Sequence, residues 1–302
     1  MLELAPDRTR PVPKHVWLWL LAVGAAVWLL ATAITAVTRD TILVPTVIMV
    51  GSFLVPVTMV AFALSRPHEH RLTAEAVVLG FLAGGTLGVV LSALAETYLL
   101  PAAHGTFVAV GAIEEATKAL VVVGIAGTVA TRRPRDGMIL GAAVGAGFAS
   151  FESAGYALTA AIGHAYDHPI QRIVEIELHR AALAPFAHIT WTALLGGAVF
   201  AAAQPTGSFR LSRGVIGTVV GVVALHGAWD ASPGCAVIAT KVLQGSGWKL
   251  GWPSTEVWIR TGPGGTLVQV VYTALLVAIS LIGATWVVRR WRRSGNSAIP
   301  LA

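Results

Sequence analysis

Charge is scarce in this sequence: 12% of its 302 residues are Asp, Glu, Lys or Arg, about half the share of an ordinary soluble domain. That excludes a water-soluble fold of this length. Cysteine is scarcer still. The one thiol, Cys235, rules out an internal disulfide and any paired-cysteine metal site. With no activating base near it in the sequence, it reads as a small apolar side chain rather than a nucleophile. There is no HExxH motif, no internal repeat, no low-complexity tract and no stretch left over for a soluble domain. Basic residues outnumber acidic ones, 21 to 15. They fall in short clusters between apolar runs rather than on one soluble face, which argues against nucleic acid as a partner.

What is abundant is apolar sequence, with 55% hydrophobic residues and a mean hydropathy of +0.73. Runs of about 18 or more apolar residues, enough to cross some 30 Å of hydrocarbon as helix, recur along almost the whole chain. The fold class expected is all-α: a single polytopic membrane domain, residues 1–302, with the lipid bilayer as its surroundings. About eight spans are predicted, near 16–37, 42–64, 75–99, 106–130, 137–162, 182–203, 214–231 and 266–288. The first, preceded by Arg8, Arg10 and Lys14, is too long for a cleaved signal and reads as a retained anchor. Trp17, Trp19, Trp286 and Trp291 sit near the ends of the first and last spans, where indole rings favour the interface. The two termini and the even-numbered connections carry 14 Lys and Arg, the odd-numbered connections six. Both termini are therefore expected in the cytoplasm of a bacterial inner membrane. Residues 163–181 have the mixed pattern of a short interfacial helix, and 231–265, rich in Gly, Pro and Trp, reads as an outward loop able to act as a lid.

The informative residues are the ionisable ones inside spans, each costing about 2.5 to 3.5 kcal/mol at a helix centre. Span four carries Glu114, Glu115 and Lys118 in EEATK, with Lys118 one turn from both carboxylates. One lysine between two glutamates leaves an acid over; a helix-internal ion pair is the structural alternative. Span five has Glu152 and Tyr156 one turn apart in GFASFESAGY, so the phenol can reach the carboxylate or its ligand. Upstream, Gly141, Gly145 and Gly147 suit close helix packing. Span six has His188 in PFAHITW, just after a kink expected at Pro185. Span seven ends in HGAWD, with Asp230 one turn beyond His226 and at the negative end of the helix dipole, a placement that makes sense if Asp230 holds His226 or a cation.

At about 1.5 Å per residue, Glu114 falls roughly 12 Å from the outer end of its span, Glu152 roughly 15 Å, His188 roughly 9 Å and His226 roughly 8 Å. One polar cavity in the outer half of the bilayer is the expectation. Carboxylates and imidazoles in a partly dry cavity can activate water, protonate a leaving amine and stabilise an oxyanion. On this reading Glu114 or Glu115 is the base, Lys118 tunes the other, and Asp230 positions His226. Glu152, His188 and His226 also make a zinc-type ligand set; zinc and metal-free hydrolysis both stay open. So do an ion- or proton-coupled transporter, since such residues also build relays, and a non-catalytic membrane receptor. The absence of repeats counts against the transporter.

Through EEATK, DGMILGAAVGAGFASFESAGY, HITWTALLGG and HGAWD, about residues 111–230, the sequence resembles the PrsW family of intramembrane proteases, distant relatives of the CAAX-prenyl and bacteriocin-processing proteases. The resemblance implies a protease core over spans 106–231, and peptide-bond hydrolysis in membrane-anchored proteins such as anti-sigma factors. It also implies functional roles for Glu114, Glu115, Glu152, His188, His226 and Asp230. Oligomeric state is not legible.

Overall fold

The computed structural model describes residues 13–66, 71–100, 106–163, 169–204, 207–245 and 265–295. Every regular element among them is helical. The first two helices, α1 (Val16–Thr38) and α2 (Val44–Leu64), contain no ionisable residue and form an antiparallel pair. A rod spanning Ala74–Leu99 follows, built as α3 (Ala74–Ala83), a π turn (Gly84–Gly88) and α4 (Val89–Leu99). Then come α5 (Phe107–Ala126), α6 (Pro134–Ile162), α7 (Pro169–Leu183), a 3-10 turn (Ala184–Phe186), α8 (His188–Ala203), α9 (Arg213–Leu243) and α10 (Gly265–Gly295).

Seven helical segments among the described residues are long and apolar enough to cross a membrane. Helix α5, at 20 residues, has the length but carries Glu114, Glu115 and Lys118, so its place in the bundle rests on what those groups meet. The outer surfaces of the flanking helices are apolar, with Leu29, Leu30, Val220 and Leu281 all exposed. That is the surface hydrocarbon covers, and water does not.

Helices α6 and α8 form the centre, and small residues let their backbones touch. A β-carbon at Gly137 would meet the carbonyl oxygen of Gly196, one at Gly141 that of Thr192, and one at Gly145 that of His188. On another face of α6, Gly147 lies against the carbonyl of Phe81, and Gly84 of the π turn against that of Val144. The three glycines expected to serve helix packing, Gly141, Gly145 and Gly147, all do so. Helix α6 begins earlier than its apolar run because Pro134 is suited to the first helical position and Asp136 is satisfied by the Arg71 backbone N–H (2.9 Å) and the Thr131 hydroxyl.

The arginine-rich connections gather at one end of the bundle. There Arg132 donates to the carbonyls of Val129 and Gly207, Arg210 to that of Ala202, and the Arg135 guanidinium lies 4.8 Å from the Trp291 ring. Basic clusters far apart in sequence thus meet at one level, as the charge count requires.

Two expectations need correcting. Residues 231–243 are not loop: α9 runs through Pro233 to Leu243, because that proline removes only one N–H donor and the apolar sequence beyond it restores the helix. The rest of the expected lid, 246–264, lies outside the described residues. His226 is consequently about 25 Å of helix from the end of α9, near its middle. The argument that Asp230 opposes a helix C-terminus falls with it. Helix α8 also starts at His188 itself, after the 3-10 turn, so Pro185 ends one helix rather than kinking another.

A buried glutamate and histidine centre

Four helices bring their ionisable residues to one place. From α5, Glu115 and Lys118 are sealed from solvent, and Glu114 is nearly so. Lys118 Nζ lies 2.5 Å from Glu115 Oε1, 3.4 Å from Glu114 Oε2 and 3.0 Å from His188 Nδ1, and 4.3 Å from the centre of the Phe148 ring. Its three N–H groups therefore each have an acceptor. Burying these charges costs several kcal/mol apiece unless every one is matched; here each ionised group has a partner of opposite charge, while Glu115 Oε2 is sealed in without a hydrogen-bond partner.

The partners assign the histidine tautomers. An ammonium can only donate, so His188 Nδ1 accepts from Lys118 and His188 Nε2 carries the proton that it donates to Glu152 Oε2, 3.0 Å away. For His226 the pattern is mirrored. Its Nδ1–H donates to Glu115 Oε1 at 2.9 Å, leaving the Nε2 lone pair 3.5 Å from Glu114 Oε2 and 3.5 Å from Asp230 Oδ2. Each imidazole is thus braced by its own carboxylate and turns its lone-pair nitrogen toward Glu114 Oε2, His188 Nδ1 from 4.0 Å. The rings meet edge to face at 5.2 Å, backed by the buried Trp191.

Ligand atoms of Glu114, His188 and His226 all lie within 4.8 Å of one another, a group able to hold a metal ion. Two of the expected ligands are in that group; its carboxylate is Glu114, whereas Glu152 Oε2 is engaged by Arg180 and His188. The donor chemistry fits zinc or a similar divalent ion. So does the outer layer, since a carboxylate behind each histidine is how metal sites fix ligand orientation.

Arg180, on α7, was not among the candidates. Its Nη2 bonds Glu152, its Nε donates to Ser153 Oγ at 2.5 Å, and its guanidinium lies 4.8 Å from the Tyr156 ring centre. In the sequence it looked like one more loop cation. Only the return of α7 onto α6 reveals it. Tyr156 accordingly serves Arg180 with its face, and among the described contacts its hydroxyl makes none with Glu152. A cavity of about 410 Å³ between α6, α7, α9 and α10 reaches His188.

Fold and centre together define a polytopic membrane protein with a buried carboxylate and imidazole cluster among its helices. A model of the family described as PrsW family intramembrane metalloprotease matches residues 68–252, which cover most of the chain, including every helix that supplies the centre. The chain belongs to that family and is an intramembrane protease. No curated protein and no solved structure matches it.

Proposed function

We propose that the chain hydrolyses a peptide bond in membrane-anchored regulatory proteins, anti-sigma factors among them, at the Glu114, His188 and His226 centre. The multi-pass protein would sit in a bacterial inner membrane with both termini cytoplasmic. The observation carrying this reading is the paired bracing just described: two imidazoles held by separate carboxylates, with their other ring nitrogens 4.0 and 3.5 Å from a third carboxylate, that of Glu114. A purely structural ion pair between Lys118 and one glutamate needs none of that.

In this mechanism Glu114 Oε2, His188 Nδ1 and His226 Nε2 would hold a zinc ion. When bound, zinc lowers the pKa of a water molecule and polarises the scissile carbonyl. Lys118 would then give up its contact with His188 Nδ1 and keep its ion pair with Glu115. Glu115 is the orienting group of His226, since its Oε1 is already shared between Lys118 and the imidazole. Glu152, backed by Arg180, is the orienting group of His188. Asp230 is left as the carboxylate with access: 27% of its side chain is exposed and it lies one turn from His226. It takes the proton of the attacking water and passes it to the leaving amine.

The test is co-expression with single-span candidate substrates, comparing wild type with Glu114→Gln, His226→Ala and Asp230→Asn at matched membrane levels. Cleavage should vanish in all three. Purified wild type should carry about one equivalent of zinc, lost in the first two variants and kept in the third. Unchanged cleavage in all of them removes the reading.

A further inference from the structure

Nothing assigned so far accounts for the cavity beside His188. Its lining includes Tyr156 of α6, Arg172, His179 and Arg180 of α7, Trp229 of α9 and Tyr272 of α10. Two guanidiniums line it, that of Arg172 paired at 3.1 Å with Glu175 on its outer side, no Asp or Glu lines it, and three of its walls are aromatic, with His179 stacked on Tyr272 at 5.8 Å. Arg180 belongs to both worlds. Two of its five N–H donors go to Glu152 and Ser153, and its side chain is still 20% exposed. A planar guanidinium held in place by a half-buried carboxylate is preorganised to bind a second carboxylate on its open edge.

We propose that this cavity is a substrate subsite that takes an acidic side chain, Asp or Glu, close to the scissile bond. The inference rests on the protease reading above and adds to it the charge of the residue recognised. Several features favour a peptide as occupant. The cavity opens onto His188 rather than toward the arginine-rich end of the bundle, its aromatic walls suit a peptide's own side chains, and its volume holds a few residues of extended chain. Arg172 and Arg180 meet the acidic side chain together from α7, and Arg180 also anchors Glu152 and, through it, His188. Recognition and the orientation of a catalytic imidazole are thereby joined in one residue.

The experiment uses full-length protein in detergent micelles and a cleaved substrate in which Asp or Lys is placed singly at each of the three residues on either side of the scissile bond. One position should show a kcat/KM at least tenfold higher with Asp than with Lys, mainly through KM. Arg172→Gln should flatten that preference and Arg172→Glu should reverse it at the same position. In parallel, fluorescently labelled decapeptides carrying Asp or Lys there are bound to Glu114→Gln protein and followed by anisotropy; the Asp peptide should bind tighter by a similar factor. Absence of cleavage of every substrate, with the Asp peptide still bound selectively, breaks the protease reading and leaves the subsite standing. Cleavage indifferent to charge at all six positions, or a preference untouched by the Arg172 variants, overturns the subsite. So does a charge-blind peptide response combined with activation by phosphatidylglycerol vesicles that Arg172→Glu abolishes, since a lipid headgroup would then be the occupant.

Discussion

Helices α1 and α2 pack side by side, as α6 and α8 do, yet the two pairs solve different problems. In the first, contact is made by side chains: Leu54 fills the space over Gly24, and Trp17 meets Phe62 edge to face at 5.3 Å. In the second, the glycines of α6 lie on carbonyl oxygens of α8 along the whole crossing. Padding by flexible side chains lets two helices shift without much cost. Backbone resting on backbone does not, because there is no rotamer to change. The rigid pair is the one that carries Glu152 and His188. Two of the ionisable groups are thereby fixed, and α5 and α9 bring the others against them, which keeps the desolvated charges matched by partners.

The comparison breaks most visibly at Gly141. A methyl there collides with the Thr192 carbonyl, so Gly141→Ala must push α8 away and take His188 with it. Misplacing a catalytic group by about 1 Å costs on the order of 100-fold, and that loss of cleavage is expected, with about 1 to 3 kcal/mol of destabilisation. Wild-type cleavage rates in Gly141→Ala would mean that α6 and α8 do not hold the site.

Next in size is Glu115→Gln, which tests the centre with packing left alone. Lys118 loses its nearest counter-charge, and His226 exchanges a charged acceptor for the neutral amide oxygen of glutamine. Stability should fall by about 3 to 5 kcal/mol, and zinc affinity by about 10- to 100-fold, read by thermal melts and by metal titration. A variant that melts and binds zinc as wild type does would show Glu115 to be a bystander.

Much of this was legible beforehand, for a definite reason. Ionisable residues stand out against apolar spans, so Glu114, Glu115, Lys118, Glu152, His188, His226 and Asp230 were all visible, and the structure brings all seven to one centre. Division of labour among them was not, because spacing along a helix says nothing about which nitrogen of His226 faces which carboxylate of another helix. Arg180 was hidden for a different reason. Its segment has the composition of a surface helix, yet Ile173 and Glu177 are buried, with Trp28 of α1 donating to Glu177 at 2.7 Å. Pro233 misled the reading of α9, since a proline that ends a helix in water need not end one among packed neighbours.

A smaller effect, of opposite sign, is expected at Lys118. Its ammonium sits beside two of the three donors that would hold a metal, 3.0 Å from His188 Nδ1 and 3.4 Å from Glu114 Oε2. In Lys118→Met the metal no longer displaces a cation. Zinc should bind about tenfold tighter, roughly 1.4 kcal/mol. The chelator-treated protein should melt earlier, because two carboxylates have lost their counter-charge, so the stabilisation seen on adding zinc widens. Equal affinity in wild type and Lys118→Met would show that the ammonium and the metal do not compete.

The smallest effect is predicted where the padded pair is challenged as the rigid one was. Gly24→Ala places a methyl against the tip of Leu54, with no backbone atom among its near neighbours. Leu54 can change rotamer toward the lipid-facing side, and alanine is a better helix former than glycine by about 1 kcal/mol, so the two changes offset. Melting temperature should move by no more than a few degrees and cleavage not at all. The same one-methyl substitution in the same membrane, harmless on α1 and disabling on α6, isolates backbone contact as the property that holds the centre together. Equal damage at both glycines would point instead to a general intolerance of bulk between the helices of this bundle.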